Sequence, residues 1–269
     1  MEFSVLIAVY KKENPIFFQL AMESIWQNQT LKPTEIVLVK DGGLTPELEK
    51  IIDHFANFAP LKIHSLAKNS GLGVALAEGL KICSHELIAR MDSDDISAPD
   101  RFEKQLKFMS EHPEIDISGC FIAEFNTSTD HILSYRKLPI EQDEIIHFAK
   151  KRNPLNHMTV IFKKNSVLKA GNYKPFFGYE DYYLWVRMIM NGAKMHNIPE
   201  ALVFARIGNN MHSRRQGFDF FKQEVKLQNE LHRINFLNNK EYLSNLTLRP
   251  ATRLLPIWGL KLVYKHLRK

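Results

Sequence analysis

FSVLIAVYKKENPIFFQLAMESIWQNQTLKPTEIVLVKDGG, residues 3–43, is the stretch that decides the fold. Its first seven residues, Phe3 to Val9, are apolar everywhere except Ser4. A strand with one wet face alternates polar and apolar side chains. An unbroken apolar run marks a strand covered on both faces, as in a parallel sheet beneath helices. Asn14-Pro15 then supplies a helix cap and a proline for the first helical position. Phe17, Leu20, Ala21, Ser24 and Ile25 follow at helical spacing, with the helix predicted to run to Asn28. Glu35 to Val39 (EIVLV) is a second buried strand, so the stretch reads as one βαβ unit.

The pattern continues outward. Pro46 to Phe58 reads as a helix, Lys62 to Leu66 as a strand, Ser70 to Cys83 as a helix and Leu87 to Met91 as a fourth strand. This alternation predicts an α/β fold: a Rossmann-like, mostly parallel sheet with helices on both faces. After Asp95 the rhythm changes. Helices are expected over Pro99–Glu111, Glu141–Lys151 and Asp181–Asn191. Strands are expected over Ile115–Phe125, His131–Leu138, Thr159–Phe162, Met195–Ile198 and Leu202–Ile207. Gln216 to Asn239 reads as one long helix, and the rest as a tail. The expected plan is a nucleotide-type half (1–98), a mixed half (99–217) and a C-terminal helical region (218–269).

Composition narrows the class. At 269 residues, 45% hydrophobic and 25% charged, the chain is ordinary globular protein with enough length for a substantial core. Cys83 and Cys120 lie far apart without CxxC spacing, which excludes a disulfide scaffold and a zinc ribbon and suits a reducing compartment. No signal-peptide pattern and no apolar run of about 18 residues is present, so a cytoplasmic protein without a membrane span is expected.

In doubly wound sheets ligands bind beyond the carboxyl ends of the strands. Three of the first four strands end in residues suited to that place: Tyr10-Lys11-Lys12, Lys40-Asp41-Gly42-Gly43, and Arg90-Met91-Asp92-Ser93-Asp94-Asp95. Three carboxylates in four residues repel one another unless a cation compensates, and hard oxygen ligands suit Mg2+ or Mn2+. The competing reading is a helix cap before Pro99 with solvated acids. Asn69-Ser70-Gly71-Leu72-Gly73 opens a helix and loosely resembles a phosphate loop. No GxGxxG follows the first strand and no GxxxxGK[ST] occurs, which argues against dinucleotide enzymes and P-loop NTPases. Glu180 and Asp181 stand at the start of an aromatic helix, as dipole-stabilising caps or as a general base. His157 lies before a short strand, where a structural histidine competes with a catalytic one. Arg206, His212, Arg214 and Arg215 group in a polar stretch that either holds a diphosphate, ligates a metal through His212, or is simply solvated.

Taken in order, the segments SVLIAVYKKENP, EIVLVKDGG, NSGLGVALAEGL, ARMDSDDISAPDRFEKQL, NHMTVIFKK, GYEDYYLWVRM and RIGNNMHSRRQG resemble the family 2 glycosyltransferases of GT-A fold. The flavour is that of bacterial O-antigen, capsular and exopolysaccharide enzymes, and the likeness spans about residues 1–217. The resemblance implies inverting transfer of a sugar from a UDP-sugar to an acceptor hydroxyl, with a saccharide on a polyprenyl-diphosphate lipid as acceptor. It implies a donor pocket of Ala8, Tyr10, Glu13, Asp41, Asn69, Gly71, Arg90, Asp92, Ser93 and Asp94. It further implies Mn2+ or Mg2+ on Asp92 and Asp94 with His212, and Asp181 as catalytic base beside Glu180. His157, Trp185, Arg214 and Arg215 fall on the acceptor and diphosphate side. Where the family often carries Asp-Asp-Gly-Ser after the second strand, this chain has Lys40-Asp41-Gly42-Gly43.

From Tyr242 onward there are six basic residues and no acids, which equals the whole net charge of +6, so residues 1–241 balance. Lys261, Lys265 and Arg268 share a face at helical spacing, with Leu255, Trp258, Leu262 and Tyr264 nearby. A basic amphipathic segment bearing Trp is expected to lie on an anionic membrane surface, here through residues 246–269, giving peripheral association with the inner face of the cell membrane. The alternative is a C-terminal helix docked on the domain. Rival functions are a non-catalytic nucleotide-sugar binder and a sugar nucleotidyltransferase. The latter wants a Gly-rich, Arg-bearing loop where Tyr10-Lys11-Lys12-Glu13 stands. No nucleic-acid motif accompanies the basic charge.

Overall fold

The computed structural model describes residues 1–207 and 217–252. Its first half follows the expected alternation: β1 (Phe3–Val9), α1 (Pro15–Ile25), β2 (Glu35–Lys40), α2 (Pro46–Ala56), β3 (Leu61–Ser65), α3 (Leu72–Ile82) and β4 (Leu87–Met91). There follow β5 (Ile96–Ser97), α4 (Arg101–Glu111), β6 (Ile117–Phe125), β7 (Ile132–Arg136), α5 (Gln142–Ala149), β8 (Ile161–Lys163), α6 (Lys164–Lys169), α7 (Glu180–Met190) and β9 (Met195–Arg206). The chain then forms α8 (Phe218–Arg233) and α9 (Asn239–Thr252).

Among the described residues the strands form one sheet in the order β3-β2-β1-β4-β8-β6-β9-β5, with β7 on the free part of β6. β1, β2, β3, β4, β6 and β9 run one way, and β5, β7 and β8 oppose them. The sheet is therefore mostly parallel, and it continues across residue 98 into the mixed half. The apolar runs work as read. Val5, Ile7 and Val9 join Ile36 and Leu38 in one core, together with residues of α1, α2 and α4. Leu6, Val37 and Val39 point to the other face, where α3 and α7 close a second core. Cys83 and Cys120 are free and buried.

Several expectations need correction. The two strands read at Met195–Ile198 and Leu202–Ile207 are one strand, which absorbs Pro199 through register shifts opposite Cys120 to Ile122. The long helix read from Gln216 to Asn239 stops at Arg233, because Asn235 takes a left-handed φ of 60°. Asn238 then starts α9 with a reciprocal cap: its Oδ1 accepts from the Glu241 N–H at 2.9 Å, and its own N–H donates to Glu241 Oε2 at 2.9 Å. The first part of the expected tail is thus a docked helix. Asn245 Nδ2 donates to Lys150 O (2.8 Å) and Gln228 Oε1 (3.1 Å). Arg249 Nε donates to Glu224 Oε1 at 2.6 Å. Arg249, counted among the basic residues of the expected membrane segment, is therefore paired with the buried Glu224. Residues 253–269, with the rest of that stripe, lie outside the described residues. No helix among the described residues is long and apolar enough to cross a membrane.

Candidate active site

Because β1, β2, β4, β6 and β9 are parallel, their carboxyl ends open on the same edge of the sheet. The floor of that edge is Asp41, 5% exposed, just past β2. Its carboxylate accepts the backbone N–H groups of Ser70 (2.6 Å) and Gly71 (3.0 Å), and its carbonyl accepts Asn69 Nδ2 at 3.2 Å. Asp41 so ties the loop before α3 to the end of β2, using two of the roughly four acceptor sites of a carboxylate. Gly42 is required between them. Its φ is 85°, and a Cβ there would lie 2.6 Å from the Asn69 nitrogen.

The acidic loop after β4 forms the centre. Asp92, Asp94 and Asp95 each present a carboxylate oxygen within 4.8 Å of the others. Burial first, then the charges of Asp92 and Glu13, push Asp94 up to about 7. Asp95 is buried and raised well above the ordinary carboxylate range by burial and by its two acidic neighbours. Three hard oxygen donors with this surplus of negative charge fit a divalent cation such as Mn2+ or Mg2+. These are the three carboxylates that the sequence singled out, with Asp92 and Asp94 expected as ligands and Asp95 adjacent. His212, Arg214 and Arg215 lie outside the described residues.

The loop is held from three sides. Arg90, buried in β4, forms an ion pair with Asp92 Oδ1 and orients that carboxylate from beneath. Ser93 Oγ donates to Glu13 Oε2 at 2.5 Å, which links the loop to the start of α1 beyond Ala8 and the half-exposed Tyr10. Arg206 ends β9. Its backbone N–H donates to Asp95 Oδ1 (2.7 Å) and its Nε to the Asp94 carbonyl (3.1 Å). Its guanidinium carbon sits 3.9 Å from the Phe17 ring centre and 4.5 Å from that of Phe125. Arg206 is thus a strand-end clamp on the acidic loop.

Across the edge, α7 begins with the carboxylate pair. Asp181 accepts Asn153 Nδ2 on Oδ2 at 2.6 Å and the Tyr182 N–H on Oδ1 at 2.7 Å. Glu180 packs toward the α3 loop: a Cβ on Gly73 would come within 2.8 Å of its Cγ and 2.7 Å of the Lys174 carbonyl. Burial, then the charge of Asp181 among others, raises Glu180 to about 7, against the opposing pull of Arg90. Asn153 was not anticipated, since nothing local marks a residue whose partner is 28 positions away.

On the acceptor side the expectation for Trp185 fails, and His157 is found among aromatic neighbours. Trp185 is 0% exposed inside the second core, so it has no face for a sugar. His157 Nε2 is 3.0 Å from Tyr173 Oη, and its ring packs against Tyr173 and Trp185. Burial first, then Arg90, holds its pKa well below the ordinary value.

Comparisons with known proteins bear on the family and the fold. A family model described as "Glycosyl transferase family 2" matches residues 4–175. The chain is 45% identical over its full length to an uncharacterised glycosyltransferase of Haemophilus influenzae, which it also covers fully. It is 40% identical to the amylovoran biosynthesis glycosyltransferase AmsE of Erwinia amylovora, over 99% of each chain. It is 36% identical to the Escherichia coli UDP-Gal:alpha-D-GlcNAc-diphosphoundecaprenol beta-1,3-galactosyltransferase, over 98% of this chain and 95% of that one. Among solved structures, Staphylococcus aureus TarS 1–349 in complex with UDP-GlcNAc superposes with a TM-score of 0.69. That match has 19% identity and covers 91% of this chain and 70% of TarS 1–349. A mannosyltransferase from Pyrobaculum calidifontis in complex with GDP-Man and Mn2+ gives 0.64 at 13% identity, over 99% of this chain and 80% of that one. Both likenesses concern the fold, which is that of GT-A glycosyltransferases.

Proposed function

Because the chain belongs to the family 2 glycosyltransferases, we propose that it transfers a hexose or N-acetylhexosamine from a UDP-sugar, with inversion, to a saccharide hydroxyl. The acceptor in this reading is carried on a lipid diphosphate in bacterial surface-polysaccharide synthesis, at the inner face of the cell membrane. The observation that carries it is the acidic loop 92–95 just past β4, with the Glu180–Asp181 pair near enough that Tyr173 senses the charges of both Asp92 and Asp181 and Glu180 senses that of Arg90. The relatives named for amylovoran synthesis and for a galactosyltransferase acting on a lipid-diphosphate sugar support the substrate class.

In this reading Ala8, Tyr10 and Glu13 border the nucleotide, and Asp41 shapes its pocket by pinning Asn69 to Gly71. Asp92, Asp94 and Asp95 would hold the divalent cation. When bound, it supplies Lewis-acid stabilisation to the departing diphosphate. Arg90 and Arg206 keep the loop in shape for that role. Asp181 is the general base that takes the acceptor hydroxyl proton, with Asn153 and the Tyr182 N–H fixing the aim of its two oxygens. Glu180, at about 7, retains a proton over part of the neutral range and is the weaker candidate. One direct displacement inverts the anomeric centre.

The test is UDP release with a panel of UDP-sugars and a GlcNAc-diphosphate-lipid analogue. Asp181→Asn is expected to abolish transfer while leaving UDP binding nearly intact. Loss of nucleotide binding with the fold preserved would overturn the assignment of the base. Asp94→Ala is expected to lose metal-dependent donor binding in calorimetry, and full wild-type activity in excess chelator would remove the cation from the reading.

A further inference from the structure

The turn before α7 carries a feature that transfer does not use. Gly178, with φ 77°, swings the chain so that Phe177 stands 62% exposed just ahead of Glu180. A Cβ on Gly178 would lie 2.9 Å from Phe220 Cε1, so the turn is pressed onto the first turn of α8. There the Phe177 and Phe220 rings are 5.3 Å apart, and Phe218 is also 62% exposed, stacked on Phe221 at 5.8 Å. Single exposed aromatics are ordinary on a protein surface, but two exposed phenylalanines, one on the first turn of α8 and one on the turn packed against it, mark a contact site.

The cluster is ringed by lysines. Lys222 Nζ lies 4.6 Å from the Phe218 ring centre, Lys226 Nζ 5.1 Å from that of Phe176, and Lys174 is exposed on the approach to the turn. Asp219 is the exposed acid of the same helical turn. Aromatic side chains that enter the acyl boundary, with ammonium groups level with the headgroups, are what an anionic bilayer recognises.

The path of the chain selects among occupants. α9 runs antiparallel to α8: Tyr242 Oη bonds Asn229 (2.9 Å), Asn245 bonds Gln228 and Arg249 bonds Glu224. The described end at Thr252 is therefore level with the first turn of α8, beside the phenylalanines. Residues 253–269 carry five basic side chains and no acid. That segment and the patch carry charge of the same sign, the patch through Lys222 and Lys226. The lysines around the phenylalanines are complementary to a negative sheet of headgroups. We infer that the Phe177–Phe218 patch, with Lys174, Lys222 and Lys226, is a second bilayer contact that sets the Glu180–Asp181 edge against an anionic membrane. The inference extends the membrane part of the proposed function and does not depend on transfer.

The experiment is co-sedimentation of the full chain with vesicles of phosphatidylethanolamine and phosphatidylglycerol, against phosphatidylcholine alone, with melting temperature and oligomeric state checked for each variant. Wild type should bind the anionic vesicles and not the neutral ones. Phe177→Ser/Phe218→Ser should lower partitioning about ten-fold or more at unchanged melting temperature. Lys222→Gln/Lys226→Gln should lower it by a similar factor that vanishes in high salt. Lys261→Gln/Lys265→Gln in the full chain should lower it separately, so the two contacts multiply. Wild-type binding by both patch variants would leave the tail as sole anchor and overturn the inference. So would absence of binding by wild type, or a wild-type dimer that the phenylalanine variant abolishes. Because no donor or acceptor enters the assay, failure of the transfer reading is read separately.

Discussion

Replacing Arg249 by methionine tests how the C-terminal helix is fastened. Glu224 is 0% exposed, and its carboxylate accepts Tyr179 Oη (2.6 Å), Arg249 Nε (2.6 Å) and Gln228 Nε2 (3.0 Å). Arg249 also donates to the Lys151 carbonyl and lies over the Tyr182 ring at 5.6 Å. Burial pulls the guanidinium pKa down, but the charge of Glu224 outweighs it and the net shift is upward. Arg249→Met takes a charged partner away from a buried carboxylate that keeps Tyr179 and Gln228 among its neutral donors. Breaking a buried pair from one side costs about 3–5 kcal/mol. That is a large share of a total stability of roughly 5–15 kcal/mol. At about 2–4 °C per kcal/mol for a domain of this size, the melting temperature should fall by roughly 6–20 °C. Glu224→Gln/Arg249→Met, with neither charge present, should recover at least about half of the loss. The assay is urea unfolding by circular dichroism across the double-mutant cycle. A loss under about 1 kcal/mol for Arg249→Met, or no recovery in the double variant, would refute the reasoning.

Glu180 sets a pH signature. It is an acid whose folded pKa, about 7, lies above its ordinary 4.5, so the folded state holds the extra proton and stability falls as pH rises from 4.5 to 7. Glu180→Gln removes that slope; relative to wild type it should gain about 3 kcal/mol across the window, and parallel urea curves at both ends would refute it. Gly79→Ala should destabilise by roughly 1–3 kcal/mol although alanine is the better helix former. Its Cβ would meet Leu6 Cδ1 at 2.5 Å and Val39 Cγ2 at 2.6 Å, and a rise in melting temperature would contradict that packing.

The left half of the sheet was legible because β1 and β2 bury both faces, so composition alone betrays them. The acidic loop was legible because its three carboxylates fall within four residues. The clamp was not: Arg206 reaches Asp94 and Asp95 from over a hundred positions away, and in sequence it looks like the start of a basic stretch. α7 misled for a different reason. Tyr182 to Met188 are all buried, so helical spacing offers no wet face, and Trp185 could not be told from a sugar platform. Arg249 was counted as surface charge because Glu224, its partner, is 25 positions upstream on another helix.

The clamp on the acidic loop also fixes a schedule. Asp95 receives its backbone donor from residue 206, and β5, just beyond it, has its only ladder partner among the described residues in β9. A ribosome that has finished residues 92–95 must add about 110 more before that partner exists, some 6–22 s at roughly 5–20 residues per second. Until then the loop has Arg90 and Glu13 to hold it but lacks its third side. The nascent chain assembles its β1–β4 scaffold early and acquires the competence of its acidic loop late, so a message cut before Arg206 yields a sheet without a working edge.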